Sequence, residues 1–501
     1  MVNRRDFLKK CGIGMGVIMT SNLWTKKLFS QNEIINNDIF QCSNEDIKKL
    51  LEIALSKGGD FSELFFEYKI FNSVTMEEDI IKSSSESIIL GVGVRVLKGN
   101  QEGYAYTNDM SFEKMKHAAL SAAAIANGPS KTRVANLNIS KPRHQVYDLN
   151  EPLSRLELEQ KIEMIKIAYN AAQKYDNRII KVSSSLGEEL QIVKIANSEG
   201  LLISDIRPQA RLNTTATASD KGKKNTGSYS HGGRIGHNYY KNVITPEEIG
   251  RRAAEEAIIL LSAKDAPAGE MPVVLGKEQS GVMIHEAVGH PLEGDSNWRK
   301  TSIMWDKFGQ MVANPIVTIY DDATIPYYRG SLNIDDEGTL TENVLLIDKG
   351  KLVGFLNDRI AAMMLNQKRN GHARRQSYMF PPIPRMNNTI LGRGETPPED
   401  IIKSVKKGIY ASTYQGGQVS DTGKFTFSVN LGYLIEDGKL TTPIKNATLI
   451  GTNIQILKEV ELIGNDMGYF LGSCGKGGQS VPVTCGTPTL KIKKMTVGGV
   501  V

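Results

Sequence analysis

The residues best suited to chemistry lie together in Gly281-Val282-Met283-Ile284-His285-Glu286-Ala287-Val288-Gly289-His290-Pro291-Leu292-Glu293-Gly294-Asp295. Two histidines flank a glutamate there. Neutral imidazoles are good ligands for a divalent transition metal, and a carboxylate beside a ligand can take a proton from a metal-bound water. The spacing is awkward for a regular helix. Side chains four apart differ by about 40° around the axis, whereas side chains five apart, like His285 and His290, differ by about 140°. Gly289 permits unusual backbone angles, and Pro291 disfavours the helical region for His290. The helix is therefore expected to end or to widen near 288–289, for example through a π-type bulge, swinging His290 back beside His285. A plainer reading has both histidines capping a helix end and Glu286 solvated. Against it, Val282, Met283 and Ile284 read as buried, and an unpaired glutamate next to them is costly. The chain holds seven histidines, and no other pair is arranged like this one. His231 and His237 lie in a glycine-rich stretch and read as exposed rather than ligating.

The stretch from His285 to Asp295 resembles the His-Glu-x-x-x-His motif of the TldD peptidases, in the TldD/PmbA family. Gly330-Ser331-Leu332-Asn333-Ile334-Asp335-Asp336-Glu337-Gly338, Arg374-Arg375-Gln376-Ser377-Tyr378 and Pro384-Arg385-Met386-Asn387-Asn388-Thr389 carry the resemblance further. So do Gly416-Gly417-Gln418-Val419, Gly464-Asn465-Asp466 and the run from Cys474 to Val483. The first half is similar more loosely, through 91–96 and 197–200. The resemblance implies a zinc-dependent peptidase in which His285, His290 and Cys474 hold Zn2+ and Glu286 is the general base. It also implies unfolded or extended peptides as substrates. It implies a dimer around an enclosed channel, formed with a second copy or with a metal-free TldE/PmbA-like subunit. A metal-free binding subunit lacks the His-Glu motif and the cysteine that this chain has. A zinc hydrolase of non-peptide amides is the other competing reading.

A thiolate with two imidazoles is a sound zinc set, and glycines at 472, 475, 477 and 478 suit a loop that returns Cys474 to the helix. The competing role for Cys474 is a disulfide with Cys485, which an exported location permits and the family pattern does not require. Glu293 and Asp295 either orient His290 or cap a turn. Arg374, Arg375 and Tyr378 are candidate oxyanion donors, with surface ion pairs as the alternative.

The elements that must hold these residues read as α+β: an N-terminal α+β domain, 32–265, and a β-rich C-terminal domain, 266–501, with a central metal-binding helix. A helix opens at Ser43-Asn44-Glu45-Asp46 and stops at Gly58-Gly59. Strand-like runs follow at 62–70, 73–80, 88–97 and 102–107, and helices at about 111–126 and 154–174. A long antiparallel section is expected over 178–219, then a mobile loop over 220–238 and a helix from Pro246 to about Ala263. Ala266-Pro267-Ala268-Gly269 marks the boundary, and a short buried strand, 271–275, precedes the helix that carries His285. A further helix is expected over 398–409. Gly91-Val92-Gly93 lacks the third glycine of a dinucleotide loop and sits inside a strand-like run, so Rossmann binding is not expected.

The formal charge is +6, but residues 1–31 hold Arg4, Arg5, Lys9, Lys10, Lys26 and Lys27 against Asp6 alone. The basic excess belongs to this leader, so no nucleic-acid partner is inferred. Asn3-Arg4-Arg5-Asp6-Phe7-Leu8-Lys9 resembles a twin-arginine export motif, followed by an apolar run too short to span a bilayer comfortably. Export to the periplasm is expected, with a membrane anchor if the leader is not removed. Four cysteines, at 11, 42, 474 and 485, do not make a disulfide scaffold.

Overall fold

The computed structural model describes residues 39–499 apart from 144, 148, 150–155, 421 and 422. The leader with Arg4, Arg5 and Cys11 lies outside the described residues. Long alternating runs build the first half around one sheet. Its strands are β1 (Phe61–Glu77), β2 (Ile80–Lys98), β3 (Gln101–Thr107), β4 (Asn138–Ser140), β5 (Ile179–Asn197), β6 (Leu201–Asp220) and β7 (Lys223–Gly233). Their order is β3-β2-β1-β5-β6-β4, with β7 also paired to β6. At 19 and 20 residues, β5 and β6 far exceed the usual strand length, so one sheet supports two separate cores. Helices Asn44–Leu55 and Phe112–Ala123 cover one end, burying Leu50 and Ala119 with Val94. Helices Leu158–Gln173 and Pro246–Ser262 cover the other, burying Ile165 and Ala253 with Leu212. The side chains of Ser43 and Thr245 accept from free amides of the first turn and so start their helices.

The second half holds two larger sheets. In one, Lys407–Val419 pairs with both Gly269–Leu275 and Lys424–Glu436, so the ladder closes on itself through Leu490–Gly498 and Ala447–Thr452. The other has six strands and ends on the hairpin of Gln479–Thr487 and Gly468–Lys476, with the latter at the edge. The chain from Gly281 to Leu292 is wedged between them. Met283, Ile284, Ala287 and Val288 share one core with Val273 and Phe427 of the closed ladder and with Cys474 and Val481 of the hairpin. This burial fixes which face of the turn looks outward.

The α+β content read from the sequence is what the chain adopts. Four local expectations need correcting. The runs 62–70 and 73–80 are mostly one strand, β1, and β2 starts at Ile80 rather than near 88. The stretch 220–238 is not a loop over most of its length, because β7 pairs with β6 from Lys223 to Gly233. Gly227 there serves close packing, since a Cβ would lie 2.4 Å from the Ala253 carbonyl oxygen. His231 is accordingly half-buried, stacked on Tyr239 at 5.6 Å, and His237 is half-buried too. The helix expected over 398–409 ends at Lys403, and Gly408 already lies in a strand against the Pro272 carbonyl.

Candidate metal centre

His285 and His290 are brought together by a change of helix type. One α turn, Gly281–Ile284, passes into a π turn, His285–Gly289, and then a 3-10 turn, His290–Leu292. The His290 amide donates to the carbonyl of His285, five residues back. That wider turn places both side chains on one face, and the rings meet edge to face with centroids 5.0 Å apart. The backbone angles correct part of the sequence argument. Gly289 (φ −58, ψ −60) and His290 (φ −58, ψ −45) both stay right-handed helical, so neither unusual angles nor the push from Pro291 is used. Gly289 is required for space: a Cβ there would lie 1.8 Å from Met386 Sδ.

Cys474 arrives from the edge strand Gly468–Lys476, opposite Val481. Its Sγ is 3.4 Å from His290 Nε2. The ligand atoms of His285, His290 and Cys474 all lie within 4.8 Å of one another, which makes a group able to hold a metal ion. His285 and Cys474 are buried, and His285 Nδ1 has no hydrogen-bond partner among the described residues. Two imidazoles and a thiol converging on one spot, with a buried ring nitrogen otherwise unpaired, fit a metal bound through nitrogen and sulfur. Burial opposes ionisation of the Cys474 thiol, but His285 and His290 hold it well below the usual range.

Cys485 is not bonded to Cys474. Both are free, and Cys485 sits opposite Phe470. Four residues of strand, about 13 Å, separate the two along the ladder, beyond the reach of a disulfide. Cys485 packs under the start of the helix, where a Cβ on Gly281 would lie 2.9 Å from it.

Glu293 accepts from His290 Nδ1 at 3.1 Å. Burial alone would raise the Glu293 carboxyl, but Lys476, His290 and Arg385 hold it down at about 2. Burial likewise works against the His290 cation; Glu293 and Cys474 outweigh it and keep its pKa at about 10. Asp295 does not touch His290. It pairs with Lys476 at 2.6 Å, and Lys476 reaches Glu293 at 3.0 Å. Arg385 donates to the Cys474 carbonyl. The sequence assigns Lys476 and Arg385 no role at the site, because their role depends on meeting Glu293 and Cys474 in space. Glu286 Oε2 lies 3.9 Å from His290 Nε2, and burial pushes its carboxyl up while the two histidines pull it down.

Glu286, His290, Glu293, Cys474 and Lys476 line a cleft of about 500 Å³ together with Gly417, Gln418 and Val419, while His285 is buried behind it. Gln415, Gly416, Gly417 and Gln418 are exposed, and beyond Ala411 their strand pairs only with Lys424–Glu436. Among the described residues this strand edge pairs with no further strand beyond Ala411, and its Gly417, Gln418 and Val419 line the cleft. Arg374, Arg375 and Tyr378 do not line it. All three are buried: Arg374 donates to the Met386 carbonyl, Arg375 pairs with Glu63, and the Tyr378 amide donates to Glu67. They are neither surface ion pairs nor placed to meet a carbonyl at the metal group.

Comparison with known proteins adds three family matches. Residues 62–126 match PmbA/TldA metallopeptidase domain 1, residues 151–261 the central domain, and residues 268–499 the C-terminal domain. A metalloprotease TldD homolog of Haemophilus influenzae is 39% identical, covering 93% of this chain and 99% of that protein. One from Buchnera aphidicola is 37% identical, covering 96% and 100%. A zinc metalloprotease TldD homolog of Saccharolobus solfataricus is 26% identical over 90% and 100%. The solved structure of TldE from Thermococcus kodakarensis shares the fold, with a TM-score of 0.72 at 19% identity, covering 91% and 100%.

Proposed function

The chain belongs to the PmbA/TldD family of metallopeptidases, and from that premise we propose that it is a zinc-dependent peptidase acting on unfolded or extended peptides. The observation that carries the reading is the convergence of His285, His290 and Cys474, with Glu286 beside His290, at a cleft that Glu286, His290 and Cys474 line. Under this reading those three residues hold the metal and Glu286 is the general base. Zinc held there would supply Lewis-acid polarisation and a nucleophile at neutral pH. Glu286, whose Oε2 lies 3.9 Å from His290 Nε2, would accept a proton beside the metal group and return it to the leaving amine. Glu293 holds the His290 ring through Nδ1, leaving Nε2 to face Cys474, and Lys476 keeps Glu293 ionised. Arg385 ties down the Cys474 main chain.

Support for an extended substrate comes from the strand edge at 415–419. A peptide can add there as a further strand, its main chain bonded to the edge and its carbonyls passing the metal group. Cleavage of a mixture of unfolded peptides, lost on chelation and regained with zinc, tests the reading. Failure of the purified protein to cleave any of them, or cleavage that survives complete zinc removal, contradicts it.

The reading has two further parts. The likeness to a TldE structure supports a dimer, with a second copy or with a metal-free TldE/PmbA-like subunit. A fully active monomer in sedimentation contradicts that. Arg4-Arg5 with Phe7-Leu8 supports export by the twin-arginine route to the periplasm, with an anchor if the leader stays. Unchanged export after both arginines are replaced by lysine removes this part.

A further inference from the structure

A second polar cavity, of about 230 Å³, meets the metal cleft at Ser473, which lines both. Six cations line it, Lys69, Arg207, Arg234, Arg329, Arg374 and Arg375, against the carboxylates of Glu189 and Asp336. Three of the six are paired: Lys69 with Glu67 and Glu189, Arg207 with Asp205 and Asp336, and Arg375 with Glu63. Arg234, Arg329 and Arg374 have no carboxylate partner among the described residues. Arg329 donates to the Gly472 carbonyl and to Ser473 Oγ, and Arg374 to the Met386 carbonyl. The Arg234 guanidinium lies over the Tyr147 ring at 5.4 Å and donates through Nη1 to the Pro208 carbonyl at 3.4 Å, while its buried Nε has no hydrogen-bond partner among the described residues. Arg234 and Arg374 are each 3% exposed. Burial, reinforced by neighbouring arginines and only partly opposed by Asp336 and Glu189, depresses Arg374 to about 9 and Arg329 to about 10.

A buried cation without an ion-pair partner is costly, and two of them, Arg234 and Arg374, beside the half-buried Arg329 around one open cavity are a poor arrangement unless an anion completes it. A guanidinium matches a carboxylate with two parallel hydrogen bonds. Ser473 and Cys474 are neighbours on the edge strand Gly468–Lys476, so the cavity and the metal cleft flank the same strand. We propose that the cavity of Arg234, Arg329 and Arg374 is a substrate subsite that takes a carboxylate of the bound peptide. The inference rests on the peptidase reading above. Two carboxylates have this chemistry, the C-terminal group of a peptide and an aspartate or glutamate side chain within it.

Calorimetric binding to the full-length Glu286→Gln protein, which prevents turnover, tests the subsite. Three otherwise identical unfolded peptides are used: one with a free C-terminal acid, its C-terminal amide, and the amide with one internal glutamate. At least one carboxylate peptide should bind roughly tenfold or more tighter than the neutral amide, as charge-assisted hydrogen bonds allow. Whichever gains identifies the source of the carboxylate. Adding Arg329→Gln should remove the gain and leave the neutral amide's affinity in place. Inorganic phosphate should compete with the carboxylate peptide and spare the amide, a readout that needs no arginine variant. Equal binding of all three peptides, or a gain that survives both Arg329→Gln and phosphate, overturns the proposal. If the gain is found but the wild-type protein cleaves none of the peptides, the peptidase reading fails and the subsite stands.

Discussion

Glu286 and His290 lie side by side, and the account gives them separate work, so their variants must differ. Glu286→Gln keeps the size of the side chain but cannot accept a proton. Hydrolysis should fall by roughly 10²–10⁴-fold while bound zinc is unchanged, and retained activity would remove the general-base role. A second expectation follows from the charge of the metal-free site. His290, with a pKa of about 10, carries a proton at neutral pH, and a metal ligand cannot. Zinc uptake at pH 7 should therefore release protons and tighten as pH rises toward 10. Titration in two buffers of different ionisation enthalpy measures this; no proton release would contradict it. Glu293→Gln removes the carboxylate that sustains the His290 cation and should weaken the pH dependence. At this scale much was legible. A glutamate between two histidines after an apolar run names its own chemistry. Cys474 was not legible in the same way, because 184 residues separate it from His290 and only the family resemblance pointed to it. Lys476 and Arg385 lie in segments that carry the family resemblance, but nothing in the sequence gives either a role at the site, since lysines and arginines are common and their meaning lies in what they touch.

The element that matters most is the π turn. Five-residue spacing requires a wider helix, and that part of the reasoning holds because hydrogen bonding from residue 290 to 285 follows from geometry. Gly289 serves close packing rather than unusual backbone angles, through a neighbour, Met386, that sequence does not reveal. Gly289→Ala suits the backbone angles, yet its Cβ would collide with Met386 Sδ at 1.8 Å. The variant should lose about 1–3 kcal/mol by overpacking and bind zinc less well, as the turn shifts. Gly289→Ala with Met386→Ala makes room and should recover the zinc affinity. Urea unfolding with zinc titration checks both, and a single variant as stable and as zinc-tight as wild type would refute the packing argument. The misreading of 220–238 has the same cause. Glycines there signalled flexibility, whereas Gly227 allows helix Pro246–Ser262 to approach β7.

At the scale of the whole molecule, buried ion pairs join the two halves: Arg95 to Glu337, Arg207 to Asp336, and Arg375 to Glu63. They explain why the Asp336-Glu337 and Arg374-Arg375 segments carry the family resemblance without lining the metal cleft. Arg95→Met leaves Glu337 buried and short of its partner, and should cost about 3–5 kcal/mol. Arg95→Met with Glu337→Gln should recover part of that loss in urea unfolding, and an unchanged single variant would show the pair to be dispensable. Such pairing was invisible in sequence, where the same arginines read equally as oxyanion donors or surface charges. The α+β architecture was legible, because alternation over long runs and well-capped helices are local properties. How the edge strand of the second half meets the π turn was not, because that contact closes only in the folded chain. The central claim is that His285, His290 and Cys474 hold one zinc that the hydrolysis needs. Zinc content and peptide cleavage, measured on the same samples of wild type, His285→Ala, His290→Ala, Cys474→Ser and Cys485→Ser, test it most directly. The account predicts about one zinc per chain in wild type and Cys485→Ser, and loss of zinc and cleavage together in the other three. Full zinc and cleavage in Cys474→Ser, or cleavage by protein shown to be free of zinc, would contradict it.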